Sequence, residues 1–322
     1  VRAIRIETNG GPDVLEVQDI DATTPAPDEV VVEVAAAGVN FIDTYQRSGL
    51  YPGELPAGLG LEGAGTVVAV GEDVRDRQPG DRVAWSGSRG SYAEQVAVTA
   101  ERTVVVPEEV PLDVAAALML QGMTAHYLSQ STYTLGRDDT ALVYAAAGGV
   151  GRLLVQLAKR RGARVLACTS TEAKAEEVRA LGADQIVFYR DVDVPSTVRE
   201  MTGGVGVDVV YDSVGQATFT SSLQSLRPRG LMVLFGASSG PVEPVDLQIL
   251  NQHGSLYVTR PSLFHYTATP DELGWRAGAL FDLVKAGQLN VKIHERYPLE
   301  DTARAHTDLE SGTTSGKLLV IP

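Results

Sequence analysis

Two patterns of apolar and polar residues divide this chain, and the change falls near residue 120. Before it, apolar residues come in short runs: Val30-Val-Val-Glu-Val-Ala35, Gly65-Thr-Val-Val-Ala-Val-Gly71, Arg82-Val-Ala-Trp85 and Tyr92-Ala-Glu-Gln-Val-Ala-Val98. Gly, Pro and Asp punctuate them, as in Pro25-Ala-Pro-Asp28 and Gln78-Pro-Gly-Asp81. Such runs predict strands, and their density predicts a compact barrel-like module. After it, apolar runs alternate with helical periods. Strands are predicted at 141–144, 164–170, 185–189, 207–211, 230–235 and 255–259, with helices near 152–159, 172–181, 195–202 and 217–226 between them. Six strands joined by helical crossovers predict a doubly wound parallel sheet. A longer helix follows over 271–287, then a strand (291–297), a helix (299–310) and a last strand, Lys317–Ile321. That tail does not extend the parallel sheet simply, and we expect it to return to the first module. The domains are therefore drawn as 1–120 with 265–322, and 121–264.

Charge and cysteine content narrow the chemistry. The chain has 322 residues, and 41 Asp and Glu face 27 Lys and Arg, a formal net charge of -14. A nucleic-acid binder normally presents a basic face, so this balance argues against that role. It also requires any phosphate site to be local, built from helix N-termini and a few placed cations. No apolar run approaches a membrane span, and the first residues lack the pattern of a secretory signal. The single cysteine, Cys168, has no internal disulfide partner and lies in an apolar run, which fits a reducing cytoplasm.

The clearest chemical signal is Ala141-Leu-Val-Tyr-Ala-Ala-Ala-Gly-Gly-Val-Gly151, followed at once by an amphipathic helix. Ala146, Gly148 and Gly151 occupy the three positions of the G-x-G-x-x-G pattern, with Ala in the first. Small residues are needed there for a tight turn, for backbone approach to a pyrophosphate and for close helix–strand packing. The helix N-terminus adds free N–H groups and partial positive charge. Ala147, Gly148, Gly149, Val150 and Gly151 are thus candidate dinucleotide contacts.

An NAD-preferring unit carries Asp or Glu at the end of its second strand. That place falls on Cys168-Thr-Ser170, which has no acid. Thr169 and Ser170 offer hydroxyls, and Lys174 lies one turn into the next helix; together they suit a 2′-phosphate, hence NADPH. Ser170 or Thr171 capping that helix, with Lys174 solvated, is a compatible plainer reading.

Several longer segments carry a family resemblance: Ala37-Gly-Val-Asn-Phe-Ile-Asp-Thr-Tyr-Gln-Arg-Ser-Gly-Leu-Tyr51, Gly58-Leu-Gly-Leu-Glu-Gly-Ala-Gly65, the Ala145–Gly151 turn, Val210-Tyr-Asp-Ser-Val-Gly215 and Gly254-Ser-Leu-Tyr-Val-Thr-Arg-Pro-Ser-Leu263. Over essentially its full length the chain resembles the medium-chain dehydrogenase/reductase superfamily, and within it the zinc-free, zeta-crystallin-like quinone oxidoreductases. The resemblance implies an α/β fold: a Rossmann-type parallel sheet plus a GroES-like β-rich catalytic domain, a cleft holding the cofactor, and a homodimer. Zinc-dependent relatives place a Cys in the first segment and Gly-His-Glu in the second. Here Asn40 takes the Cys place and Leu61 the His place, so no metal is expected.

The resemblance also implies a set of site residues. Asn40 and Tyr45 are nominated to hydrogen-bond the acceptor oxygen. Asn40, Thr124, Phe235, Gly236, Ser238, Val258 and Arg260 are nominated for the nicotinamide end, with Ser213 lining the same crevice. Tyr189, beside Arg190, flanks the adenosine phosphate, and Lys317 is a further candidate for a phosphate. The plainer readings are a packed Tyr45, an Asn40 bonded only to backbone, a core Phe235 and a solvated Lys317. The expected activity is NADPH-dependent reduction of quinones, by hydride or single-electron transfer and without a metal. An enone or alkenal reductase, acting on an activated carbonyl acceptor, is the alternative enzyme. An NADPH-binding structural or RNA-binding protein is the alternative of another class, and the negative charge weighs against RNA.

Overall fold

The computed structural model describes residues Val1–Pro322 and contains sixteen strands. In chain order they are β1 (Arg2–Ile6), β2 (Glu16–Asp19), β3 (Glu29–Val39), β4 (Ala57–Gly58), β5 (Glu62–Val70), β6 (Arg82–Ser86), β7 (Gln95–Thr99), β8 (Thr103–Val105), β9 (Thr140–Val143), β10 (Arg164–Thr169), β11 (Gln185–Phe188), β12 (Val207–Asp212), β13 (Leu226–Leu234), β14 (Tyr257–Thr259), β15 (Ile293–Pro298) and β16 (Lys317–Ile321). They fall into two units, Val1–Met123 with Thr267–Pro322, and Thr124–Tyr266.

The first unit is organised by β3. This strand is eleven residues long, and its Val30–Ala37 stretch pairs antiparallel with β5 along one edge. The other edge is shared, with β7 against Glu29–Glu33 and β16 against Ala37–Val39. Register shifts within the β3–β5 pair mark bulges, which bend a strand and let it serve two partners. The sheet order is β15-β16-β3-β5-β6-β8, with β7 also on β3, and a smaller sheet runs β2-β1-β4. The path is open, ending at β15 and β8, so the barrel expected from the short runs is not a closed ring of strands. Ile4, Val32, Trp85, Tyr92, Leu318 and Val320 meet in one apolar core. The C-terminal tail therefore returns to the first module: β16 lays alternate apolar residues into a core that β3 has already begun.

The second unit is a six-stranded, wholly parallel sheet of order β11-β10-β9-β12-β13-β14. Strand order reverses beside β9, the first strand of the unit, and ligands of such sheets bind outside the carboxyl ends at that switch point. Leu142, Leu166, Val187, Val210 and Met232 form its core. Several boundaries shift from those expected from the sequence, and among the strands of this sheet the largest shift is in β13. β13 begins at Leu226 rather than 230, because buried Leu226 joins the core and pairs with Val207. A register break then follows at Arg229, whose φ of +60 lies in the left-handed region.

Candidate functional site

In the second unit the expected nucleotide turn has the shape such a turn requires. Ala145 adopts a φ of +47, a strained value for a residue with a side chain. The Gly148 N–H bonds to its carbonyl at 2.9 Å, and the Ala146 N–H reaches Cys168 O at 3.1 Å. A helix then runs over Gly149–Arg160, with Gly148 as its extended cap. A Cβ on Gly151 would stand 2.3 Å from Ala145 O and 2.7 Å from Ala146 Cα, so only glycine lets the helix approach the strand this closely. The first helical N–H groups lack intrahelical partners and face the turn.

The neighbouring strand ends supply the rest. Thr169 ends β10 almost fully buried, and its Oγ1 has no hydrogen-bond partner. Thr171 caps the next helix, Glu172–Ala180, by accepting the Lys174 N–H at 3.4 Å. The Lys174 ammonium is held below the usual lysine range, first by burial and then by the nearby positive charge of Arg190. Arg190 itself lies 5.7 Å over the ring of half-buried Tyr189. An orphaned hydroxyl at the end of β10 and two mutually close cations, one just past β10 and one just past the adjacent β11, are chemically suited to a phosphate on the adenosine ribose. The cradle and the donors therefore fit a phosphorylated dinucleotide.

At the end of β12, Asp212 is wholly buried and accepts from the N–H groups of Val214 and Gly215 and the hydroxyls of Thr218 and Ser222. It braces the Ser213–Gly215 loop, and sequence reasoning passed over it although an acid ending an apolar strand was the signal. A Cβ on Gly236 would lie 2.4 Å from Ser213 O, and the Ser238 N–H bonds to that same carbonyl at 3.2 Å. Phe235 is half-buried rather than a core residue, and Thr124 is buried. Val258 lies within the edge strand β14, and Arg260, just past it, donates to Leu234 O at 3.2 Å.

The first unit holds a second polar centre. Asn40 precedes the helix Phe41–Ser48, and its own N–H is held by Asp43 Oδ2 at 2.8 Å. Its Nδ2 donates to Glu62 Oε1 at 2.7 Å and Gly38 O at 3.3 Å; its Oδ1 accepts from Lys317 Nζ at 2.8 Å and Gln121 Nε2 at 3.0 Å. An amide has two donors and two lone pairs, so every hydrogen bond of the Asn40 side chain is used inside this unit. The expectation that this amide orients an acceptor oxygen is corrected accordingly. The expectation that Lys317 reaches a phosphate also fails. Its ammonium is 2% exposed and committed to Val39 O, Asn40 Oδ1 and the Glu62 carboxylate, because β16 carries it inward beside β3. Burial lowers its pKa, and Glu62 opposes that shift.

Beside this lattice, buried Tyr92 donates to Asp43 Oδ2 at 2.7 Å. The buried ring of His306 lies on its other side, 3.4 Å from the same hydroxyl through Nε2. Arg47, which can only donate, bonds to His306 Nδ1 at 3.1 Å and pairs with Glu310. Burial raises Asp43 to about 7 and, with Arg47, lowers His306 to about 3. Tyr45 stands on the same helix as Asp43, half-buried, with its ring edge-on to Tyr51 at 5.3 Å. No group of three or more His, Cys, Asp or Glu side chains comes together in a way that would hold a metal ion. Asn40 and Leu61 stand at the places the resemblance gives to zinc ligands, and the ammonium of Lys317 bonds to the Asn40 amide. That donor set does not fit zinc.

Comparison with known proteins agrees with this geometry. Residues 26–108 match the alcohol dehydrogenase GroES-like domain, and residues 149–267 match the zinc-binding dehydrogenase family. The chain is 45% identical over 323 residues to a quinone oxidoreductase of Pseudomonas aeruginosa, covering 100% of this chain and 99% of that one. It is 40% identical over 330 residues to a 2-haloacrylate reductase of a Burkholderia species, covering 100% and 99%. The crystal structure of Escherichia coli quinone oxidoreductase complexed with NADPH superposes with a TM-score of 0.98 at 45% identity, covering both chains completely. The chain belongs to the medium-chain dehydrogenase/reductase superfamily, in its quinone oxidoreductase branch.

Proposed function

We propose that this protein is an NADPH:quinone oxidoreductase that works without a metal. The observation that carries the reading is full-length similarity to quinone oxidoreductases combined with a nucleotide turn that fits NADPH. When bound, NADPH supplies reducing equivalents, as a hydride or as single electrons. The chain's own residues bind and orient. The Gly148–Gly151 turn receives the pyrophosphate at a helix N-terminus. Thr169, Ser170, Lys174 and Arg190, with Tyr189, hold the adenosine 2′-phosphate. Ser213, Phe235, Gly236 and Ser238, at the ends of β12 and β13, line the nicotinamide side, with Thr124, Val258 and Arg260 as further contacts.

Tyr45 is the group we assign to the acceptor oxygen, through its hydroxyl. Asn40 acts behind it, since its own bonds are spent. A conjugated acceptor takes reducing equivalents without a Lewis acid, so positioning and exclusion of water suffice. The deciding experiment follows NADPH oxidation with a benzoquinone, with and without a zinc chelator. Turnover that the chelator does not touch supports the reading; tight NADPH binding without turnover of any quinone or enone overturns it.

A second reading is reduction of an activated carbon–carbon double bond, favoured by the full-length likeness to a 2-haloacrylate reductase. Comparing kcat/KM for a benzoquinone and an α,β-unsaturated ketone separates the two. We further assign the protein to the cytoplasm, on its single buried cysteine. No helix is long and apolar enough to cross a membrane. We also assign it to a homodimer paired through β14, an edge strand on which Tyr257 is 62% exposed. Light scattering that gives a monomer would remove the dimer.

A further inference from the structure

The buried charge pair Lys317–Glu62 has no direct part in the proposed reaction. Its ammonium points three hydrogens at three acceptors, Val39 O, Asn40 Oδ1 and Glu62 Oε1. Glu62 is wholly buried. One oxygen takes Lys317 and Asn40 Nδ2, and the other takes the Leu120 N–H. A Cβ on Gly38 would stand 2.1 Å from Glu62 Oε1, so the carboxylate lies against bare backbone of β3. Stability alone does not explain such a pair, because well-packed apolar residues in place of a buried ion pair are commonly neutral or stabilising.

Together with the Gly38 carbonyl, which also accepts from Nδ2, the pair favours one orientation of an amide. The two ends of Asn40 have nearly the same shape, and a flip exchanges its oxygen and nitrogen. Lys317 only donates and an ionised Glu62 only accepts, so only Oδ1 toward Lys317 and Nδ2 toward Glu62 satisfies both. The flipped amide would set a donor against an ammonium and a lone pair against a carboxylate. Asn40 is also the residue from which the helix Phe41–Ser48 starts, and that helix carries Tyr45.

We propose that Lys317 is a positioning residue of the reaction: paired with Glu62, it locks the Asn40 amide and so sets the start of the helix that presents Tyr45 to the acceptor. The inference rests on the function proposed above.

The test is Lys317→Met, which keeps the unbranched stem as far as Cε and removes the ammonium. Expected are an increase of about tenfold in KM for benzoquinone, a KM for NADPH within about twofold of wild type, and faster hydrogen exchange at the amides of residues 43–46. Because Glu62 is then buried without its counter-charge, this variant can fail to fold. The double variant Lys317→Met with Glu62→Gln removes both charges; it is expected to recover the melting temperature while the quinone KM stays raised. An unchanged quinone KM and unchanged exchange in Lys317→Met, or a double variant restored in both melting temperature and KM, overturns the proposal. Exchange is read without turnover. A wild-type protein inactive with quinones would therefore sink the functional reading, while the exchange data would still decide the role of Lys317.

Discussion

Tyr92 donates its hydroxyl to the carboxylate of Asp43 at 2.7 Å, with both side chains wholly buried, and His306 closes on the same hydroxyl from the other side. The two titratable groups flanking this tyrosine respond to pH in opposite directions. Asp43 is raised from 3.8 to about 7 by burial. The folded state therefore binds the extra proton in that window, and the group's contribution to stability is full below 3.8 and is lost as pH rises through 7. His306 is lowered from 6.5 to about 3, by burial and then by Arg47. Its contribution is full above 6.5 and is lost as pH falls toward 3. Between about pH 4 and 6.5 the two slopes oppose each other. Asp43→Asn exposes the histidine slope, so relative to wild type this variant gains stability as pH rises from 4 to 7, by up to about 1.4 kcal/mol per pH unit. Urea unfolding at pH 4.5, 6 and 7.5 measures it; a difference independent of pH would show that Asp43 does not hold its proton in the fold.

Lys174 carries the choice of cofactor. It lies close enough to Arg190 to feel its charge, on a helix that starts just past the end of β10. Removing one charge-assisted hydrogen bond costs about 1.5–3 kcal/mol, or roughly one to two powers of ten in binding. Lys174→Ala is therefore expected to raise KM for NADPH at least about tenfold and to leave KM for NADH within about twofold. Steady-state kinetics with both cofactors decides it, and equal effects would refute the phosphate assignment.

Gly151 tests the turn. Alanine there meets backbone at 2.3 and 2.7 Å, neither of which can rotate away. Overpacking of this kind costs about 1–3 kcal/mol. We expect Gly151→Ala to lower the melting temperature and to weaken NADPH binding at least about tenfold in a fluorescence titration. At Gly148 the nearest contact is 3.2 Å, and the same change should be milder.

Gly274 and Gly278 make the opposite case. Both lie inside the helix Pro270–Lys285, and a Cβ on either meets nothing within 4 Å. Their cost is conformational freedom in the unfolded chain. Gly274→Ala and Gly278→Ala should each stabilise the protein by about 0.5–1 kcal/mol, measured by denaturant unfolding, with kinetics unchanged.

Tyr45→Phe isolates a hydroxyl. The ring keeps its edge contact with Tyr51. Loss of one hydrogen bond to the acceptor, about 0.5–1.5 kcal/mol, should lower kcat/KM for benzoquinone about 2- to 10-fold. KM for NADPH should not move. An unaltered quinone kcat/KM would leave Tyr45 with packing alone.

The parallel sheet was legible because its signals are local. Ala141–Gly151 reads as strand, small-residue turn and helix without reference to anything distant, and the strand-end positions of Thr169, Ser213 and Gly236 follow from the alternation of runs. The polar centre of the first unit was not legible in this way. Lys317 looked like a solvated terminal lysine, and its partners Asn40 and Glu62 stand 277 and 255 residues away. His306 looked like one of five scattered histidines, and its tautomer depends on Arg47, 259 residues off.

By itself, then, the order of residues determined the two modules, the nucleotide turn, the missing acid at the end of β10 and the lack of thiol or imidazole at the metal place. These depend on hydrophobic period, on the steric room that glycine leaves and on side-chain chemistry, all of which act within a few residues. Only the tertiary structure decided which polar groups lose their water. Burial turned Lys317 from a surface cation into the partner of Glu62, exhausted the hydrogen bonds of Asn40 and moved Asp43 and His306 from their ordinary pKa values. Solvation is set by what packs around a group, and here the packing came from strands and helices far apart in the chain.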